Sequence, residues 1–138
     1  MGENRSFVLD TSALLAYWND EKGADEVEKI LRAGLSSAKI YVSFMTFMEA
    51  KYQLLRRVGR NAAEEFERML RSLPIVRIDV TDPILNQASE IKATSRLSLA
   101  DSWIIATAIE TGSHLVHKDP ELEQVRDRLP LVSLPYRK

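Results

Sequence analysis

The chain has 138 residues with 45% apolar content, which suits one continuous hydrophobic core, so we expect a single domain over 1–138. With 19 Lys and Arg against 20 Asp and Glu, the net charge of −1 excludes an overall positive field, so a nucleic acid must be met by a local patch or by bound cations. The absence of cysteine excludes disulfides and thiolate metal sites, and no apolar run approaches the ~20 residues that span a bilayer, so we expect a cytoplasmic protein outside the membrane.

The first third of the chain alternates short apolar runs with helical patterns. Residues 7–9 form an apolar run that ends at Asp10, and 11–18 follow with a helical pattern. Apolar residues at helical spacing predict a second helix over 25–35, and 40–42 form a second β-like run. The sequence therefore predicts two successive strand-to-helix junctions.

The middle of the chain continues the alternation. An apolar-rich segment predicts a helix over 43–58, and Asn61 is predicted to cap the next helix, which runs to 73. Residues 75–78 form a third β-like run, and Asp82, followed by proline, is predicted to cap a helix. This region therefore adds one strand and three helices.

The last third contains the clearest helix, which Ser98 opens and Gly112 ends. Residues 115–117 predict a fourth strand, Asp119 begins a short helix, and 131–134 predict a possible fifth strand. Strands that alternate with helices are typical of an α/β fold in which helices cover both faces of a parallel sheet.

Four acidic residues are predicted at one edge of this sheet, because the carboxyl ends of parallel strands share an edge with the amino ends of the following helices. They are Asp10, Glu49, Asp101 and Asp119. Carboxylates brought this close raise one another's pKa unless a cation compensates, and Mg²⁺ or Mn²⁺ prefers oxygen ligands. The Ser12 hydroxyl would add a further oxygen. Such a site would lower the pKa of a bound water and stabilise the charge that builds on a phosphodiester during attack.

Each acid also has a purely structural interpretation as a helix cap. Asp10 and Asp119 stand where N-caps are expected, and residues 46–49 and 98–101 resemble capping boxes. Taken singly, capping is the better explanation for each residue. Periodicity therefore supports an acidic crevice and leaves its catalytic role open.

Three segments resemble the motifs of the PIN domain, and within that family the VapC toxins of VapBC toxin–antitoxin pairs. Residues 7–14 (FVLDTSAL) are similar to the opening motif, an apolar strand followed by Asp and Thr, and 47–50 (FMEA) are similar to the second acidic motif. Residues 97–110 (LSLADSWIIATAIE), followed by Gly112, give the third and strongest match. With Asp119, the motifs occur in the family's order along nearly the whole chain.

The resemblance implies a three-layer α/β/α sandwich with a parallel sheet of four to five strands. It also implies a Mg²⁺- or Mn²⁺-dependent endoribonuclease acting on single-stranded RNA, a homodimer, and a VapB-like antitoxin partner. By this resemblance, the metal ligands would be Asp10, Glu49, Asp101 and Asp119, with Ser12 assisting.

One position departs from the family pattern. Two residues before the fourth acid the family usually has Thr or Ser, and this chain has His117. The missing hydroxyl puts the role of Asp119 in question, and Glu121 would share its metal contact. His117 is then either a proton donor or phosphate contact, or a partly buried structural residue, which is the commoner case for histidine at a strand end.

Basic residues near the acids are candidates for RNA contacts. Arg96 and Lys118 are each close in sequence to a proposed metal ligand, and both are predicted to bind RNA. A second basic cluster either holds phosphates beside the crevice or forms a solvated helix face, the latter being preferred; it consists of Lys51, Arg56, Arg57 and Arg60.

Other functions are compatible with parts of the pattern. A PIN nuclease of ordinary RNA processing would use the same site, and a catalytically silent PIN scaffold would have lost some of the acids. Phosphatase-like α/β domains also gather acids at strand ends, but a haloacid-dehalogenase-type phosphatase requires a second Asp two residues after the first, where this chain has Ser12.

Overall fold

A computed structural model describes residues 5–137. Five strands form one sheet in the order β3-β2-β1-β4-β5, and every neighbouring pair is parallel. The strands are β1 Arg5–Leu9, β2 Ala38–Ser43, β3 Val76–Ile78, β4 His114–His117 and β5 Leu131–Ser133. The helices are α1 Thr11–Trp18, α2 Ala24–Ala33, α3 Phe44–Arg57, α4 Arg60–Ser72, α5 Asp82–Thr94 and α6 Leu99–Glu110, with a 3₁₀ helix over Pro120–Val125.

The two faces of the sheet carry separate apolar cores. In β1, Phe7 and Leu9 pack with helices α1 to α4, whereas Val8 between them packs with α5, α6 and the 3₁₀ helix. This follows from the two-residue period of a strand. Because β1 is buried on both faces, it reads as a continuous apolar run in the sequence. The predicted α/β/α sandwich with a parallel sheet is confirmed.

Two predicted helix caps are wrong by one or two residues, and one predicted capping box does not form. The fourth helix begins at Arg60 after Gly59, not at a cap by Asn61, because Gly59 turns the chain at a φ of 139° that side chains rarely adopt. Thr81, one residue before Asp82, caps α5 through its hydroxyl. Ser43 caps α3, so Thr46 lies inside that helix and the capping box predicted over 46–49 does not form.

Candidate active site

Asp10 lies where β1 ends and α1 begins, and only 3% of it is exposed. Its backbone N–H donates to the Val116 carbonyl (2.9 Å), so the residue is held in the sheet. One carboxylate oxygen, Oδ2, accepts the backbone N–H and the hydroxyl of Ser12. The cap predicted from the sequence is therefore present, but it uses only one of the two carboxylate oxygens. Burial raises the pKa of Asp10 to about 7, and the charges of Asp101 and Glu49 act in the same direction.

Ser12 connects the first acid to the strand that carries the fourth. Its hydroxyl donates to Asp10 and accepts the backbone N–H of Lys118 (2.8 Å). Because its only hydroxyl proton points at the carboxylate, Ser12 orients Asp10 in this structure. Its direct contact with a metal remains a prediction.

Glu49 is held by a contact that the sequence did not indicate. The hydroxyl of Thr11 donates to Glu49 Oε1 (2.6 Å), and the hydroxyl of Thr46 lies 3.2 Å from that of Thr11. Thr11 is buried at the start of α1, whereas Glu49 is in the second turn of α3. The contact therefore fixes the distance between the helices that carry the first two acids.

Asp101 opens α6, and its backbone N–H donates to the hydroxyl of Ser98, as predicted for that cap (3.1 Å). Burial raises the pKa of Asp101 to about 6, with the negative charge of Glu49 as the next cause and that of Asp119 contributing as well. Asp101 thus lies near both of these acids.

Asp119 caps the 3₁₀ helix, and its Oδ1 accepts the backbone N–H of Glu121 (3.0 Å). Asp101, Asp119 and Glu121 each offer a carboxylate oxygen, and these oxygens lie within 4.8 Å of one another. The cap and the acidic cluster therefore occur together, and Glu121 lies beside Asp119 in that cluster. A metal contact shared by the two remains a prediction.

All four predicted acids line one open cavity of about 290 Å³ at the carboxyl end of the sheet, together with Thr11, Ser12, Gln53, Arg57, Lys118 and Tyr136 among others. The other carboxylate oxygen of Asp10, Oδ1, is buried without a hydrogen-bond partner among residues 5–137. Such an oxygen belongs to a carboxyl group whose pKa is raised, and it shares the cavity with Asp101, whose pKa is raised as well, so a divalent cation fits as the missing partner.

Of the two residues predicted to bind RNA, Lys118 lies at the acidic cavity and Arg96 does not. Lys118 lines the acidic cavity, but its side chain is only 6% exposed, and its ammonium group pairs with Glu21 (3.0 Å) and donates to the Lys22 carbonyl (2.9 Å). Arg96 is exposed and is not among the residues that line the cavity. The structure instead brings Gln53 and Arg57 of α3 to the cavity wall.

His117 is fully buried at the end of β4, whereas the structural interpretation expected a partly buried residue. Its Nδ1 accepts the backbone N–H of Asp119 (3.1 Å), so the ring proton is on Nε2, which lies 3.3 Å from Glu123 Oε2. Burial lowers the pKa of His117, which favours the neutral form of the ring. An acceptor two residues before a backbone N–H is the arrangement that Ser, Thr or Asn hydroxyl and amide oxygens provide in turns. The imidazole therefore supplies the acceptor that a hydroxyl would otherwise provide.

Glu123 forms hydrogen bonds that hold Ser133 and Tyr136 close to this site. Its Oε2 accepts the hydroxyls of Ser133 (2.6 Å) and Tyr136 (2.8 Å), and these hydrogen bonds lower the pKa of Glu123 to about 2. Tyr136 in turn lines the acidic cavity. The network of His117 and Glu123 thus fixes both Asp119 and the chain end that borders the site.

Known proteins resemble this chain in sequence and in fold. The profile of the PIN domain matches residues 7–128. The solved structure of VapBC2 from Rickettsia felis bound to a promoter DNA fragment matches with a TM-score of 0.75 and 14% identity, over 94% of this chain and 99% of that chain. DNA-bound VapBC from Salmonella typhimurium gives a TM-score of 0.73 and 16% identity, over 94% and 98%.

A third structure, the sarcin–ricin loop cleaving toxin VapC20 of Mycobacterium tuberculosis, matches with a TM-score of 0.69 and 21% identity, over 86% of this chain and 94% of that chain. At sequence identities this low, these structural matches show that the fold is shared and show nothing further about function. A comparison with curated proteins gave no significant match.

Proposed function

Because this chain belongs to the PIN domain family, we propose that it is a divalent-metal-dependent endoribonuclease that cleaves single-stranded RNA and acts as the toxin of a toxin–antitoxin pair. The observation that carries the proposal is the cavity at the carboxyl end of the sheet, which four acidic residues line and in which one buried Asp10 oxygen lacks a hydrogen-bond partner among residues 5–137. In our proposal the domain spans 1–138 and works in the cytoplasm.

The residues that would hold Mg²⁺ or Mn²⁺ are Asp10 and Asp101, with Glu49 and Asp119 as further ligands. Asp10 offers its unpaired Oδ1, and Asp101 and Asp119 already hold carboxylate oxygens within 4.8 Å of each other. When bound, such a cation lowers the pKa of a water and stabilises the charge on a phosphodiester. Thr11 and Ser12 keep the carboxylates of Glu49 and Asp10 in place.

The direct test is cleavage of a mixed set of labelled RNAs by the purified protein in Mg²⁺, Mn²⁺ or EDTA. We expect cutting with either metal, loss of cutting in EDTA, and recovery when excess Mn²⁺ is added. Cutting that persists in EDTA would contradict the metal dependence. Intact RNA under every condition would favour the silent scaffold, whereas release of phosphate from small phosphomonoesters would favour the phosphatase.

His117 provides a prediction about the fourth acid. We expect His117→Ala to weaken Mn²⁺ binding about 10- to 100-fold, because the Asp119 N–H loses its acceptor and partners behind metal ligands have effects of this size. His117→Asn keeps an acceptor for that N–H, because its amide oxygen can take the place of Nδ1, so it should bind Mn²⁺ almost as well as the unmodified protein. Calorimetric titration measures both affinities.

The melting temperature separates this positioning role from general stability. Both variants remove ring atoms from a fully buried position, so both should melt at lower temperature. If His117→Ala and His117→Asn bind Mn²⁺ equally well, the imidazole does not position Asp119.

The proposed antitoxin partner is supported by the similar solved structures, two of which are VapBC complexes bound to DNA. We expect the protein to co-purify with the product of an adjacent gene for a small DNA-binding protein, and RNA cleavage to fall when that partner is bound. An adjacent gene of this kind would favour the toxin over an enzyme of ordinary RNA processing. Cleavage that is unchanged in a stable complex would contradict the inhibitory role.

The proposed homodimer is supported by an apolar surface between α5 and α6. Leu85 is 45% exposed and Leu99 is 65% exposed, and with Trp103 they line a cavity of about 310 Å³ that is mostly apolar. We expect the protein to be dimeric by light scattering and Leu99→Glu to be monomeric. Leu35→Glu is the matched control, because Leu35 is also exposed (75%) but lies outside this surface. A dimer that survives Leu99→Glu would exclude this face.

None of the helices among residues 5–137 is long and apolar enough to cross a membrane.

A further inference from the structure

The acidic cavity adjoins a second cavity along α3, of about 380 Å³, which we call the α3 groove. Its lining residues are Tyr52, Gln53, Arg56 and Arg57. Gln53 and Arg57 also line the acidic cavity, so the two cavities share a wall. A strand held at the four acids can therefore continue into the α3 groove.

Helical spacing aligns this wall with the second acid. Glu49, Gln53 and Arg57 are four residues apart, so they lie on one side of α3. At a rise of 1.5 Å per residue, Arg57 is about 12 Å further along the helix axis than Glu49. Arg57 thus lines the acidic cavity about two helical turns from Glu49, where that cavity meets the α3 groove.

The charges of this region are unevenly compensated. Lys118 pairs with Glu21 and Lys51 pairs with Glu67. Within residues 5–137, neither Arg56 nor Arg57 forms an ion pair with a carboxylate. Basic residues often occupy the last turn of a helix because they complement its dipole, but that role does not require them to line a cavity with the acids. Arg57 therefore offers an uncompensated guanidinium group beside the cleavage centre.

The side chains of the α3 groove suit a nucleic acid strand better than an acidic peptide. Guanidinium groups bind phosphate with two parallel hydrogen bonds. The Gln53 amide both donates and accepts, as the edges of bases require, and the ring of Tyr52, which is 41% exposed, offers a surface on which a base can stack.

We propose that the α3 groove binds the RNA strand on one side of the cleavage centre, with Arg57 on the backbone phosphate next to the scissile one and Gln53 on the adjoining nucleotide. This inference rests on the proposed nuclease function. It assigns RNA binding to the face of α3 that carries Gln53 and Arg57, which the sequence alone did not distinguish from a solvated helix face.

Binding is measured by fluorescence anisotropy of a labelled single-stranded RNA with Mn²⁺ present, in an Asp101→Asn background that suppresses cleavage. We expect Arg57→Ala to weaken binding about 10-fold and to reduce the slope of log affinity against log salt by about 0.7, the value for one phosphate contact on a single strand. Gln53→Ala should weaken binding with the slope unchanged.

Lys29→Ala is the matched control, since Lys29 is also exposed and basic but lines a cavity with Arg5 and Phe7 near the amino end of β1. It should leave both affinity and slope unchanged. Because Arg57 is exposed, its variant should melt at the parent temperature, so a failure to fold does not confuse the result.

The possible outcomes separate this inference from the proposed function. If the unmodified protein cleaves RNA but Arg57→Ala and Lys29→Ala bind it equally well, the α3 groove does not bind RNA and the nuclease proposal stands. If RNA affinity is unchanged but Arg57→Ala loses the antitoxin, the groove binds an acidic peptide instead. If the unmodified protein neither binds nor cleaves RNA, both proposals are wrong.

Discussion

Replacing Asp10 with Asn is expected to abolish RNA cleavage. In the metal-free protein, the same substitution is expected to stabilise the fold relative to the unmodified protein by an amount that grows as the pH rises. The activity should fall at least about 100-fold, or about 3 kcal/mol of barrier, because the neutral amide is a poor ligand for a hard cation. Gel analysis of labelled RNA measures this loss, and Asp101→Asn should behave in the same way.

The stability effect follows from the raised pKa of Asp10. Burial lifts this pKa from 3.8 to about 7, so the folded protein holds the proton more tightly than the unfolded chain. The stability gained from that proton is complete at low pH and is lost as the pH rises from about 4 through about 7. The loss amounts to at most about 4 kcal/mol, and an Asn at this position avoids it.

The measurement is the melting temperature in EDTA at pH 5 and pH 8. The difference between Asp10→Asn and the unmodified protein should become more positive by several degrees at the higher pH. Asp127→Asn is the control, because Asp127 is exposed and does not line the acidic cavity. If the difference in melting temperature between Asp10→Asn and the unmodified protein does not change with pH, burial does not raise the pKa of Asp10, and the prediction is wrong.

Much of the fold could be predicted because it depends on local patterns. The run Phe7–Leu9 is buried on both faces, which produces an unbroken apolar strand, and Ser98 and Asp119 cap their helices through contacts two or three residues away. The prediction that Asn61 caps α4 was wrong because the backbone conformation of Gly59 determines where that helix begins. The capping propensity of a residue does not reveal the backbone angles of its neighbours.

The site was predicted less completely because its contacts join residues far apart in the chain. The sequence placed the four acids on one edge of the sheet, and the cavity contains them all. It did not place Thr11 against Glu49, since that contact depends on how closely α1 and α3 approach. Nor did it show that Lys118 would pair with Glu21, or that Arg57 would face the acids.

Adding Mn²⁺ is expected to raise the melting temperature strongly at pH 8 and only slightly at pH 5. Protons compete with the cation for Asp10 and Asp101, whose pKa values burial raises to about 7 and about 6. At pH 8 both groups are ionised and unshielded, so a cation removes their repulsion as well as binding to them. At 100 times the dissociation constant, binding to the folded state alone stabilises it by about 2.7 kcal/mol.

The variant Asp10→Asn/Asp101→Asn separates this effect from general ion binding, because both groups that titrate near neutral pH are then neutral amides. Its melting temperature should respond little to Mn²⁺ at either pH, and equally at both. If the unmodified protein is stabilised as much at pH 5 as at pH 8, the cation binds elsewhere, since protonated carboxyl groups in a buried cavity are poor ligands. A shift confined to the higher pH and removed by the two substitutions would place the metal at the carboxyl end of β1, against the first turn of α6.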